Sequence, residues 1–220
     1  MGLLRIIFLT IFLIVVVPTI IAFLLISLLT AGFNFLEFSL PVAFLMVLFI
    51  IVASSVNIPV GKRSYVEVIE PRFFGLFNRT VNRVQGVSVN LGGAVIPLVI
   101  AGVFISTINE AGLLKELMII TGITAVVSFA GSQFVENKGI VISIILPVLF
   151  TVLFSLILAP EEVARVAFSS GVLGVVIGSD LMHLPYALKS GKSVISIGGA
   201  GIFDGIFLVG ILSAIIANFL

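Results

Sequence analysis

Residues 196–216 read SIGGAGIFDGIFLVGILSAII, and residues 163–181 read VARVAFSSGVLGVVIGSDL. Both stretches are long and apolar, and each contains one aspartate: Asp204 in the first and Asp180 in the second. They are the only two aspartates in the chain, whose remaining acidic residues are glutamates. An ionisable group near the centre of a bilayer costs about 2.5–3.5 kcal/mol and usually belongs to a functional site. The two aspartates are therefore the strongest indication of function in this sequence.

The composition predicts a protein that lives in a membrane. Hydrophobic residues make up 60% of the 220 residues, charged residues only 10%, and the mean hydropathy is +1.40. Soluble domains carry about 25% charged residues. The lipid bilayer is thus the expected partner, and a net charge of +1 gives no reason to expect nucleic-acid binding. The absence of cysteine excludes disulfides, thiolate metal sites and a thiol nucleophile.

A membrane-spanning helix needs about 20 mostly apolar residues. Seven stretches meet this criterion: 3–29, 39–60, 87–107, 113–132, 138–159, 162–187 and 194–219. We therefore predict an all-α fold, a polytopic bundle of about seven transmembrane helices. Because no boundary interrupts these stretches, residues 1–220 are predicted to form a single transmembrane domain. The first stretch is too long for the apolar region of a signal peptide.

The basic residues predict the orientation of this bundle. The longest polar connection is the loop 61–86, whose residues 64–70 alternate as a short strand would. Placing this loop in the cytoplasm leaves only Lys115 and Arg165 of the 11 Lys and Arg residues outside. Membrane proteins concentrate Lys and Arg in cytoplasmic loops. The N-terminus is accordingly predicted to be cytoplasmic and the C-terminus external.

The predicted hairpin of the last two helices places both aspartates at one depth. At 1.5 Å per residue, straight helices put Asp180 and Asp204 about 15–18 Å from the inner interface. Gly198, Gly201 and Gly205 then follow at helical spacing and predict a groove. Gly199, Gly201 and Gly205 are predicted to admit an extended peptide substrate beside Asp204. Ordinary helix packing is the other interpretation of these glycines.

A second polar cluster contains Asn90, Gly92, Gly93 and Pro97. Adjacent glycines followed by proline predict a broken helix, which membranes tolerate where protein or water covers the backbone. Asn90 and Pro97 are therefore candidate substrate-binding residues, although kinks that let the bundle close would explain the same pattern.

The single histidine, His183, lies one turn after Asp180. A site of two carboxylates and one imidazole is conceivable, but a packed histidine is more common, and no metal or cofactor is predicted.

Two resemblances add to these predictions. The segments 177–182 and 196–208, together with the motif from Asn90 to Pro97, resemble an uncharacterised prokaryotic membrane family, a domain of unknown function. That resemblance covers most of the chain from the second helix onward. It implies a multi-pass protein of a prokaryotic cell membrane and names no activity.

The second resemblance is local and covers about two helices. Presenilin-type intramembrane aspartyl proteases carry one aspartate on each of two helices, the second after a Gly-x-Gly-Asp motif. Here Gly199-Ala200-Gly201 precedes Asp204, but two residues intervene, Ser179 replaces a tyrosine and no Pro-Ala-Leu motif follows. The resemblance implies that Asp180 and Asp204 are catalytic and hydrolyse a transmembrane peptide within or near the membrane. Close carboxyl groups share one proton, so that one acts as base and the other as acid.

Two other classes of function remain open at this point. Proton- or cation-coupled transport would use the same carboxylate pair among glycine-broken helices. Against it, the helices 1–3 and 5–7 share no motif that would indicate an inverted repeat. A structural or lipid-binding protein would leave the two aspartates without a task. The oligomeric state is not predicted.

Overall fold

The computed structural model describes residues 10, 12–72, 77–135, 139–189 and 194–220. Residues 3–9 of the first predicted span lie outside this described part. Four helical segments within it are long and apolar enough to cross a membrane: Phe12–Phe35, Leu91–Glu110, Leu114–Gly131 and Pro160–Lys189. Three shorter apolar helices accompany them: Leu40–Ala53, Ile145–Leu158 and Gly205–Phe219. Each predicted span overlaps one of these seven segments, which confirms a mostly helical protein built from apolar helices.

We number the helices in chain order. They are α1 (Val17–Phe35), α2 (Leu40–Ala53), α3 (Ile96–Glu110), α4 (Leu114–Gly131), α5 (Ile145–Leu158), α6 (Val163–Val175), α7 (Met182–Lys189) and α8 (Gly205–Phe219). Three π-helical segments interrupt or extend them: Phe12–Val16 before α1, Leu91–Val95 before α3, and Val176–Leu181 between α6 and α7. Short 3₁₀ turns cover Pro160–Glu162 and Gly201–Phe203.

Two sheets show that the all-α prediction was wrong in part. β1 (Asn57–Arg72) and β2 (Phe77–Asn90) form a long antiparallel hairpin, and β5 (Val194–Ile197) pairs in parallel with β2. β3 (Ser132–Val135) and β4 (Gly139–Ile142) form a second, two-stranded sheet. The strand predicted at 64–70 is confirmed as part of β1.

The strands also shorten five predicted helices. The ranges 39–60, 87–107, 113–132, 138–159 and 194–219 extended onto residues that belong to β1, β2, β3, β4 and β5. The physical reason is that a short apolar run is equally compatible with a buried strand and a buried helix. Isoleucine and valine, which dominate β4 and β5, fit a pleated strand well.

Helix α6 lies at the centre of the bundle, where it contacts α3, α4, α5 and α8. Phe168 of α6 packs with Phe33 of α1 and Phe104 of α3, with ring centroids 6.5 and 5.9 Å apart. Glycines let the backbones approach closely: a Cβ on Gly171 would lie 3.1 Å from the Cα of Gly210 in α8. The helices thus associate through small residues, as is usual within membranes.

The chain connections divide the bundle into two ends. All five strands of the described ranges occur in the connections that follow α2, α4 and α7, and we call this side the strand end. The opposite side, which we call the turn end, has short connections after α1, α3 and α5. There Arg165 forms ion pairs with Glu37 and Glu162, which link the turn after α1 to the start of α6.

We predict that Gly178→Ala lowers the free energy of unfolding by about 1–3 kcal/mol, the usual cost of overpacking. The reason is that a Cβ at this position would collide with the backbone carbonyl oxygen of Ala125 in α4. Thermal unfolding in detergent micelles measures the effect. Gly102→Ala is the matched control, because a Cβ there meets no atom within 4 Å. Equal behaviour of the two variants would contradict the proposed contact.

Candidate functional site

Asp180 lies in the π-helical segment Val176–Leu181, immediately beyond α6. Such segments are rare and are frequent at functional sites. The residue is only 8% exposed, and its Oδ2 atom is buried without a hydrogen-bond partner in the described structure. The backbone N–H of Gly198 and the hydroxyl of Ser179 interact favourably with the same carboxyl group. Asp180 is thus a buried acid with one free oxygen.

Asp204 occupies a different position from the one predicted. It is the N-cap of α8 and therefore precedes the helix. Its Oδ1 accepts a hydrogen bond from the N–H of Ile206 at 3.1 Å, and its Oδ2 accepts one from the N–H of Ala200 at 3.2 Å. Aspartate is among the preferred N-cap residues because its carboxylate satisfies amides that have no partner at a helix start.

This position overturns two parts of the sequence-based geometry. Residues 194–204 form a strand and a turn, so the helical groove predicted at Gly198, Gly201 and Gly205 does not exist. The helical rise used to predict the depth of Asp204 is also wrong for these residues, so the calculation no longer supports a depth shared with Asp180. The physical reason is local: Gly198 and Gly201 adopt positive φ angles of 70° and 63°, which end any regular helix there.

The segment 198–204, which we call the glycine turn, brings the two carboxyl groups together. Its first amide, Gly198, faces Asp180, and the amide of Ala200 bonds to Asp204. The two carboxyl groups are close enough to interact electrostatically. One backbone turn therefore holds both aspartates of the chain at a single site.

The turn is itself held by the start of α3 and the end of α2. A Cβ on Gly93 would collide with the carbonyl oxygen of Gly198, and one on Gly201 would lie 2.5 Å from the Cβ of Ser54. A Cβ on Gly198 would lie 2.6 Å from that of Ala94. Only glycine permits these approaches, so the two glycine-containing motifs of the sequence pack directly on each other.

Asn90 fixes the neighbouring backbone. It is fully buried, its Oδ1 accepts the N–H of Gly93 at 2.8 Å, and its Nδ2 donates to the carbonyl of Ser54 at 2.8 Å. The amide also contacts Asn57 Oδ1 at 3.2 Å, which in turn accepts the hydroxyl of Ser196 at 2.7 Å. Asn90 thus ties β1, β2, β5 and α2 together around the glycine turn.

The structure places the predicted substrate-binding residues unequally. Gly199 is exposed on the glycine turn, whereas Gly201 and Gly205 are buried beneath it. Pro97 is buried near the first turn of α3, a position where proline needs no N–H partner. The two motifs that carry Asn90 and the aspartates do meet in space. The surface accessible to a partner is formed by Gly199, Ala200 and Phe203.

His183 belongs to a packing cluster next to the site. Its Nδ1 lies 2.9 Å from the carbonyl oxygen of Ser179, and its ring packs on Phe129 with centroids 4.8 Å apart. Within the described ranges, no group of three His, Cys, Asp or Glu side chains could hold a metal ion. The alternative site of Asp180, His183 and Asp204 is therefore not formed.

The sequence analysis did not identify three sets of groups that hold the site together: the side chain of Asn57, Ser54, and the backbone amides of the glycine turn. Asn57 had a weak signal, since it is a polar residue within a range predicted as helix. Ser54 and the amides had none, because their roles depend on which segments meet in the folded chain.

The chain belongs to the family described as protein of unknown function (DUF1614), whose model matches residues 51–216. This range includes both aspartates, Asn90 and the glycine turn, and the predicted membership of an uncharacterised family is confirmed. The match is not to a presenilin-type protease. No curated protein and no solved structure matches the chain.

Replacement of Asn90 by alanine is predicted to cost about 1–3 kcal/mol of stability, because it leaves the buried Gly93 N–H without its bond. Chemical or thermal unfolding in detergent checks the size of the effect. Asn109→Ala serves as control, since Asn109 lies exposed at the turn end. A neutral Asn90→Ala variant would show that the glycine turn does not depend on this network.

Proposed function

We propose that the chain is an intramembrane aspartyl protease-like enzyme that uses Asp180 and Asp204 as a catalytic pair. The observation that carries this proposal is the glycine turn, whose amides engage one carboxyl group at Gly198 and the other at Ala200. Proton sharing needs two close carboxyl groups, and in support of the proposal the glycine turn brings the two within electrostatic reach of each other. The exposed side of the turn lets an extended peptide approach the half-buried Asp204, next to which Asp180 lies buried.

The hydrogen bonds suggest separate roles for the two acids. Both oxygens of Asp204 accept backbone amides, an arrangement that suits a fixed carboxylate acting as base. Asp180 has a free Oδ2 that can carry the shared proton. Water then adds to the peptide carbonyl carbon while Asp204 accepts its proton and Asp180 donates one to the carbonyl oxygen. Collapse of this intermediate breaks the C–N bond, and the amine leaves with a proton returned by the pair.

Conservative variants test the catalytic pair. We expect Asp180→Asn and Asp204→Asn each to abolish cleavage of single-span substrates in liposomes, because asparagine can neither accept nor donate the catalytic proton. Asparagine caps helices about as well as aspartate and can still accept the N–H of Ile206, so Asp204→Asn should keep α8, although its amide nitrogen cannot accept the N–H of Ala200. Gel analysis of the cleavage products is the measurement.

The control is Glu161→Gln, which changes an exposed acid at the turn end. It should cleave like the unaltered protein. Persisting cleavage in either asparagine variant would contradict the catalytic pair, as would failure of the unaltered protein on a broad panel of helical substrates.

The proposal includes a multi-pass arrangement in a prokaryotic cell membrane with a cytoplasmic N-terminus. In support, the strand end carries most of the basic residues, whereas the turn end carries five glutamates: Glu37, Glu110, Glu116, Glu161 and Glu162. The catalytic pair then lies toward the cytoplasmic side. Substrates would be cut near their cytoplasmic ends.

Reporter fusions test this orientation. A reporter after Leu220 should be active only outside the cytoplasm, and one inserted after Lys189 only inside, because the positive strand end resists translocation. Enzymatic activity of paired cytoplasmic and periplasmic reporters gives the answer. The reverse pattern would place the proposed pair at the external side.

Proton- or cation-coupled transport is the second candidate. It is favoured by one observation, the free and buried Oδ2 of Asp180, which suits reversible binding of a proton or cation. Transport requires no Asp204 base, since Asp204 is already satisfied as a helix cap. Cleavage that depends on both aspartates would therefore favour the protease.

A further inference from the structure

Buried polar atoms without a hydrogen-bond partner are confined to one part of the described structure. They all belong to α4, α5, α6 with its π-helical extension, α8, or the residue directly after α4. The atoms are Glu116 Oε2, Thr121 Oγ1, Ser128 Oγ, Ser132 Oγ, Ser155 Oγ, Ser169 Oγ, Asp180 Oδ2 and Ser213 Oγ. These four helices also pack against one another. One side of the bundle therefore has an interior lined by free hydroxyl groups.

Hydroxyls elsewhere in the bundle are satisfied within their own helix. In α1, Thr19, Ser27 and Thr30 each donate to the carbonyl four residues earlier, at 2.7–2.8 Å. This is the usual solution for serine and threonine in membrane helices. Ser170 of α6 adopts the same solution, but the unpartnered hydroxyls named above do not, although leaving a buried polar group unpaired is unfavourable. Internal water is the ordinary partner of such groups.

Hydroxyl groups of α4 and α5 form a row in which some are unpartnered and others bond to each other. Thr121, Thr124 and Ser128 follow at spacings of three and four on one face of α4, and Ser132 comes directly after the helix. Thr124 shares a hydrogen bond of 2.8 Å with Thr151 of α5, and Ser155 lies one turn further along α5. We call these six residues the hydroxyl file. From Thr121 to Ser132 the file covers about 16 Å, compared with about 27 Å for the whole of the 18-residue helix α4.

The file leads to Asp180 at the strand end. Helices α4 and α6 run in the same direction, and Gly178 packs on Ala125. Ser128 lies nearly one turn after Ala125, and Asp180 two residues after Gly178, so they reach the same level. The contact of Phe129 with His183 confirms this alignment. At the turn end, the buried Oε2 of Glu116 lies in the first turn of α4.

We propose that the hydroxyl file holds a chain of water molecules and conducts protons between the turn end and Asp180. A hydronium ion at the turn end donates a proton to the first water or hydroxyl. Each group along the file then accepts one proton and passes its own to the next. The carboxylate of Asp180 binds the proton and releases it to water at the strand end, so one positive charge crosses per cycle. The evidence lies in the helix interior and does not depend on proteolysis.

Proton flux into proteoliposomes tests the proposal. Potassium-loaded vesicles receive valinomycin, which sets an inside-negative potential, and an internal pH dye reports proton entry. We expect faster acidification than in protein-free vesicles. Asp180→Asn and Thr124→Val should lower the flux to the protein-free level, because one removes the acceptor and the other a link. Thr30→Val, which alters a hydroxyl bonded within α1, should leave the flux unchanged.

A second measurement tests for water along the hydroxyl file even if a variant such as Thr124→Val folds poorly. The chain has no cysteine, so a single introduced thiol gives one S–H band in the infrared. The thiol of Ser155→Cys should exchange rapidly in D₂O, whereas that of Ala101→Cys, in the apolar core, should exchange slowly. Unaltered protein without flux above protein-free vesicles, or equal exchange at both positions, would overturn the proton path. Cleavage without flux would overturn this path alone, and flux without cleavage would overturn only the protease.

Discussion

The close contact between Gly93 and the glycine turn is the constraint on which the site depends. A methyl group at Gly93 would collide with the carbonyl oxygen of Gly198, and the amide of Gly198 interacts favourably with the Asp180 carboxyl group. The amide network of Asn90 holds Gly93 in place from the other side. Membrane-buried backbone outside helices must be covered by protein or water. The start of α3, the end of α2 and β5 provide that cover, so that the glycine turn remains ordered while one of its faces stays open.

The two sides of the bundle solve the polar-group problem in different ways. Helix α1 is largely exposed, is apolar, and satisfies its hydroxyls within its own backbone. Helices α4, α5, α6 and α8 turn their hydroxyls toward one another. Lipid cannot supply hydrogen bonds, so free hydroxyls are tolerable only in an enclosed and hydrated interior. The division between a lipid-facing side and a polar interior is therefore built into the placement of serine and threonine.

The sequence was sufficient to predict the helices but not the connections between them. Apolar length identifies a spanning segment because the bilayer thickness is fixed. The same property cannot identify residues such as Val87 or Ile195, which are equally apolar in a strand. Both aspartates were predicted to be functional because each is an ionisable residue within an apolar stretch. That argument needs no knowledge of where in the fold the residue lies. Their meeting required long-range pairing of β2 with β5, which no local pattern encodes.

The structure also separates the two aspartates, which the sequence presented as equivalent. Asp204 has a sufficient structural explanation, because an N-cap requires a short acceptor and glutamate is too long to replace it. Asp180 has no such explanation: it caps no helix, lies in a π-helical segment, and keeps a buried oxygen without a partner. A group this costly persists only where its protonation or binding has a use. Asp180 is therefore the stronger candidate for a functional residue, and any chemistry proposed for Asp204 must be compatible with its task as a cap.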